Sequence, residues 1–276
     1  MAVFTDLERR VSHPPFDTTE YNRRLPECQL VAERMLLVHV SGRERTFETT
    51  VLVPPHEIPT SDDLGYFTDY TRHAEKLLGL QPSAYFYAGR AHPGFGVVAM
   101  AFAPHCEADH TGSVTPFDTG GLVHPERFIK IRPTDLGSEA DLVAYGQASQ
   151  LSLGQWREVF AQILAAYFLT DEEYWTGRPK SIDHEGLYEL NHDWRAWTFE
   201  VRFHEGQSIH QREAWCADEP TMESLRRLLD AQSTTPPGDP PTPLERFLQG
   251  PRSLAPAGTP EFCERLEQWI REQVML

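Results

Sequence analysis

The chain has 276 residues, 40% hydrophobic and 24% charged, the balance of an ordinary globular protein, which excludes wholesale disorder. Its formal charge of -16 at pH 7 speaks against extended binding to duplex nucleic acid, where Lys and Arg must displace counterions, and against anionic membranes. Four scattered cysteines with no C-x-x-C pair, and no apolar run near the ~18 residues that span a bilayer, lead us to expect a soluble, cytoplasmic protein with free thiols.

The start, MAVFTDLERRVSHPPFD, has no basic segment followed by a long apolar core, so no signal peptide is expected. The stretch to about Pro26 mixes charge and proline and reads as a surface wrap. Residues 35–40 (MLLVHV) predict a strand, and 46–53 (TFETTVLV) its hairpin partner across the turn 41–44. Phe67, Tyr70, Ala74, Leu77 and Leu78 share one helical face over 64–78, with Gly79 placed to cap it. Residues 84–88 (AYFYA) and 97–103 (VVAMAFA) read as strand, turn, strand; the second is apolar on both faces and is expected at the centre of a sheet.

Residues 105–135 read as one long loop rich in His, Asp, Thr, Gly and Pro, a length more often functional than incidental. A helix is expected from Ser152, with Ser152 and Gln155 as a capping box and Leu151 and Trp156 as a staple. Its stripe is Trp156, Val159, Phe160, Ile163, Leu164, Tyr167 and Phe168, to be buried most simply against the sheet. Residues 194–203 (WRAWTFEVRF) alternate, with Trp197, Phe199, Val201 and Phe203 on one face and Thr198, Glu200 and Arg202 on the other. Residues 209–216 are a candidate partner strand, and a short helix is expected over 222–229. Residues 233–260 hold eight prolines and read as an arm or linker. A last helix begins at Thr259-Pro260-Glu261, with Phe262, Leu266, Trp269 and Ile270 as its docking stripe.

The fold expected is α+β: a twisted, mostly antiparallel mixed sheet packed by amphipathic helices, with a Pro-rich C-terminal arm and a docking helix. The expected divisions are a main domain over 1–232, the arm over 233–260 and the helix over 261–276.

Five places carry candidate chemistry. His105-Cys106-Glu107-Ala108-Asp109-His110 gathers ligand types that zinc takes, with His124 as a distant third histidine; the spacing matches no known zinc interval, and a polar loop leaving a strand reads as well. The run 111–122 (TGSVTPFDTGGL) brings Ser113, Thr115, Asp118 and Thr119 together with Gly120 and Gly121, which tolerate positive φ. Such a loop can cradle a phosphate or an adenosine, or can be a turn in which Asp118 caps its own backbone. Arg90, after Gly89 at a strand end, is placed to pair with a pyrophosphate, or with a surface carboxylate. Glu200 is a carboxylate for a developing cation, or part of a solvated face. His39 sits in a strand, as a functional or a structural histidine.

In this order, a strand histidine followed by a hydroxyl residue, the aromatic strand Tyr85-Phe86-Tyr87 ending at Gly89-Arg90, the Ser/Thr-Gly loop and a late strand glutamate, the chain resembles the ADP-ribosyltransferase fold. The span 85–122 is also similar in layout to the DNA-targeting ADP-ribosyltransferase toxins. The resemblance is one of order, and no motif matches letter for letter. It implies a split, strongly twisted sheet that clasps NAD as substrate, with no metal expected. It also implies Glu200 and His39 as catalytic-site residues: Glu200 for the oxocarbenium-like transition state and His39 for the adenosine-side ribose. Arg90 would hold the pyrophosphate and Tyr87 would stack on nicotinamide. The acceptor implied is a protein or small molecule. Thr198, two before Glu200, replaces the E-x-E or Q-x-E pattern and speaks against transfer to arginine. The acidic charge speaks against a DNA target. Two other classes remain open: a metal-dependent hydrolase on His105, His110 and His124, and a non-enzymatic acidic partner-binding protein.

Overall fold

The computed structural model describes residues 17–42, 51, 52, 54, 66–90, 95–120, 138–168, 171–176, 198–208, 211–232, 252–254 and 261–275. Seven helices and ten strands lie among them, an α+β fold. They fall into two compact units, each built from three chain segments. The first is Met1–Arg34, Pro54–Tyr85 and Glu107–Glu205; the second is Met35–Val53, Phe86–Cys106 and Gly206–Leu276. No helix of the described residues is long and apolar enough to cross a membrane.

The first unit opens on α1 (Thr18–Arg34). Asp17 starts it, its carboxylate accepting from the amides of Thr19 and Glu20 at 2.9 and 3.0 Å. The surface wrap expected here is therefore corrected: the helix runs through Pro26 and buries Arg24, Cys28, Val31 and Ala32. It packs on α4 (Trp156–Tyr167), the helix expected from Ser152. That stripe is buried as predicted, except Val159, which is half-buried. The start differs. Ser152 lies in a short strand, and its hydroxyl donates to the Gln155 side chain at 2.8 Å rather than capping backbone. Buried charge ties the pair of helices together. Arg157 of α4 donates to Glu107 at 2.7 Å and to the Ala32 carbonyl, and the Trp156 indole donates to Glu107 at 3.0 Å.

Helix α2 (Tyr66–Leu78) ends on Gly79 at φ 66°, the left-handed cap expected. It contacts α3 (Glu139–Ala148), which is capped by Ser138 through the Asp141 amide. The unit's strands lie in the order β7-β5-β6, all antiparallel: β7 (Glu200–Phe203), β5 (Gly112–Thr115) and β6 (Leu151–Ser152). The loop expected over 105–135 thus contains a strand, while 121–135 lie outside the described residues.

The second unit's sheet has the order β10-β9-β4-β1-β3. It comprises β10 (Arg252–Ser253), β9 (Arg212–Ala217), β4 (Val98–Phe102), β1 (Leu37–Ser41) and the end of β3 (Ala84–Ala88). Only the β10–β9 pairing is parallel among these. β4 is central and wholly buried, as its double-faced apolar run predicts. Three pairings differ from expectation. β1 lies between β3 and β4, so these two flank it rather than forming a hairpin. β2 (Val51–Leu52) pairs with β8 (Gln207–Ser208) in a separate sheet instead of with β1. The expected turn residues 43–50 lie outside the described set. β9 pairs with β4 and β10, not with the WTFEVRF strand.

A short helix α5 (Asp171–Thr176) belongs to the first unit. Helix α6 (Glu219–Gln232) starts earlier than expected, because Asp218 accepts from the Thr221 amide at 3.0 Å. The C-terminal helix α7 (Glu261–Met275) docks on β4 and β9 through Phe262, Cys263, Leu266, Ile270 and Val274. Trp269, expected in that stripe, is half-buried. None of the four cysteines is joined in a disulfide.

Candidate functional site

β5 and β7 place the candidate residues of the first unit. Thr115 stands opposite Glu200, and Ser113 opposite Arg202. Alternation then puts Glu200 and Arg202 on one face of β7. Gly112 makes the close strand approach possible: a Cβ there would lie 2.0 Å from the Arg202 carbonyl oxygen.

The solvated face considered for Glu200 is not what forms. Every residue of β7 is buried, with Glu200 at 1% and Arg202 at 0% exposure. Thr119 grips the carboxylate twice, through its hydroxyl at 2.6 Å and its amide at 3.2 Å. An Arg202 Nη1 stands 3.5 Å from the same carboxylate. Asp118 accepts from the Gly120 amide at 2.8 Å, the self-capping turn that the sequence allowed. Gly120 uses no positive φ, and Gly121 lies outside the described residues.

Loss of water pushes the Glu200 carboxyl up to about 8. Arg202 opposes that rise, Asp118 adds to it, and the two Thr119 bonds oppose it. At neutral pH the group is therefore mostly protonated and close to its titration point. Burial also raises the Tyr85 phenol, and the charges of Glu200 and Glu75 raise it further. The Tyr85 hydroxyl donates to Glu75 at 2.9 Å, and the Ser83 amide donates to the same carboxylate oxygen at 3.3 Å.

Five predicted residues thus lie in one unit on adjoining segments: Ser113, Thr115, Asp118, Thr119 and Glu200. Thr115 spends its hydroxyl on the Phe117 carbonyl at 2.9 Å. His39, Tyr87 and Arg90 belong to the second unit. There His39 is half-buried on β1 with its ring 5.3 Å from that of Phe86, and Tyr87 stacks on Phe95 at 5.2 Å. Arg90 follows Gly89 (φ 73°) and is 1% exposed, so the surface ion pair considered for it does not describe its setting.

Glu75 and Tyr85 were not among the site residues expected, and Arg202 was expected only as the neighbour of Glu200 on the polar face of its strand. Glu75 carried a visible signal, a carboxylate set among Ala74 and Leu78 on the apolar face of its helix. Arg202 carried another, lying two residues from Glu200 on an otherwise aromatic strand.

The metal loop resolves into other roles. Glu107 serves Arg157 and Trp156, and the His110 ring stacks on Phe203 at 4.4 Å with its Nδ1 3.6 Å from Glu205. His105 sits at φ 63°. Among the described residues no three His, Cys, Asp or Glu side chains gather as a metal site; His124 lies outside them. No protein-family model matches this chain, and no curated protein matches it.

Proposed function

We propose that the chain cleaves the nicotinamide–ribose bond of NAD, as an ADP-ribosyltransferase or NAD glycohydrolase, with Glu200 as the working carboxylate. The observation that supports this reading is the setting of Glu200: buried on a strand, held on both oxygens by Thr119, faced by Arg202, and titrating near 8. Catalytic carboxylates are commonly tuned by burial and a charged neighbour in this way.

The chemistry follows from charge. The nicotinamide nitrogen of NAD is cationic while bonded to ribose. When that bond breaks, the electron pair leaves with the nitrogen. Nicotinamide departs neutral and needs no proton. The positive charge passes to the ribose carbon, where a fixed carboxylate stabilises it. Water or an acceptor nucleophile then bonds to that carbon and gives up its proton. Glu200 must be ionised for this role, so kcat/KM for NAD rises with pH through about 8. Thr119 is a positioning residue, fixing the carboxylate by two bonds.

The test is release of free nicotinamide from NAD by wild type and by Glu200→Gln. Release by wild type and a loss of roughly 100-fold or more in the variant support the reading. A non-enzymatic, acidic partner-binding protein is the second reading. It is favoured by the same 1% exposure, which suits a structural carboxylate bonded within its own unit. No release by wild type at any pH leaves that second reading in place.

A further inference from the structure

We propose that the Arg202 guanidinium is the seat of a phosphoryl-anion site in the first unit, filled by a diphosphate group. The identity of that group as part of a dinucleotide rests on the proposed NAD chemistry; the anion site itself does not.

Arg202 is completely buried, and its Nε, Nη1 and Nη2 make no hydrogen bond. A guanidinium carries five N–H donors and cannot discharge itself by losing a proton. Leaving them unmade in a dry interior is costly. Among the described residues, the other buried arginines of this unit are treated differently. Arg157 donates to Glu107 and to the Ala32 carbonyl, and Arg24 donates to the Phe168 carbonyl. The same unit thus supplies acceptors where an arginine is structural, and withholds them at Arg202.

The nearest carboxylate does not fill the gap. Glu200 Oε1 stands 3.5 Å from Nη1, and both Glu200 oxygens already accept from Thr119. A further carboxylate would bring only two oxygens. A diphosphate brings more oxygens, and the guanidinium fork matches them in pairs. The strand that carries Arg202 is fixed: β7 is locked to β5 by four residue pairs, with Gly112 against the Arg202 carbonyl. A fixed donor set binds an anion without a further ordering cost.

The experiment titrates the full chain with inorganic pyrophosphate, and separately with acetate, by calorimetry. Wild type, Arg202→Lys and Glu200→Gln are compared, with nicotinamide release from NAD measured on the same samples. Wild type is expected to take up pyrophosphate and not acetate. Arg202→Lys keeps the charge but loses the fork, and weakens binding about tenfold or more. At pH 9, where Glu200 is ionised, Glu200→Gln removes the competing negative charge and tightens it. This arm decides the matter if Arg202→Lys fails to fold. Absence of pyrophosphate uptake by wild type overturns the proposal. So does equal affinity in folded Arg202→Lys, equal uptake of acetate, or no gain in Glu200→Gln. Pyrophosphate binding without nicotinamide release keeps the anion site and removes the NAD reading. Nicotinamide release with no pyrophosphate uptake does the reverse.

Discussion

Strand β4 of the second unit and strand β7 of the first hide every side chain from water, yet one reads VAMAF and the other EVRF. In β4 burial is the driving force: apolar side chains on both faces gain by leaving water. In β7 burial works against two of the four residues. Glu200 and Arg202 lose hydration, and the contact between them at 3.5 Å recovers only part of that loss. A fold gains nothing in stability by placing charge where an aliphatic pair would pack. The pair is thus better explained by what its charges do than by what they hold together.

The contrast can be broken at either strand. The largest stability effect is expected at Phe102, which is wholly buried on β4 and packs edge-on against Phe86 at 5.4 Å. Phe102→Ala should cost about 3–5 kcal/mol in denaturant unfolding, while nicotinamide release per folded molecule persists. Next comes the opposite experiment, Glu200→Leu with Arg202→Met. Replacing a buried pair by apolar residues is often neutral or stabilising by about 1–4 kcal/mol, so this double variant should unfold no more easily than wild type while releasing no nicotinamide. A double variant that is strongly destabilised would show that the charges of β7 are structural after all.

A smaller effect sharpens the comparison through pH. The Glu200 carboxyl is raised from its ordinary value of 4.5 to about 8 in the fold. The folded state therefore holds a proton that the unfolded chain releases. Stability from this group is fully present below about 4.5 and is lost as pH rises through about 8, a change on the order of a few kcal/mol. Thermal unfolding of wild type and Glu200→Gln over that window checks it: the fall with pH should be shallower in the variant. Smallest is Tyr85→Phe, which removes one donor to Glu75 and should cost about 1 kcal/mol.

Much of this fold was legible in local pattern, and the misses have local reasons. The stripes of α4 and α7 and the apolar run of β4 declared themselves, because each buries a wide face whose period shows in the residues. α1 did not, because Pro26 breaks the helix rule, although Asp17 and Glu20 stand at the spacing of a capping box. α3 also had its cap in view, with Ser138 three residues before Asp141, but no clear stripe follows it. β5 is four residues of a Gly-Thr-rich stretch, and pairing with β6 and β7 makes it a strand.

For the site, the late glutamate and the Asp118-Thr119 loop could be picked out by residue type. Their meeting could not, since 81 positions separate Thr119 from Glu200. By itself the sequence determined the α+β class, the helical faces and the central place of β4, because propensity and period act over neighbouring residues. Only the tertiary structure decided that β1 lies between β3 and β4, that β2 leaves it for β8, and that Glu200 and Arg202 are sealed from water. Strand neighbours and burial depend on contacts between distant segments, and residue type alone does not set a buried charge apart from an exposed one.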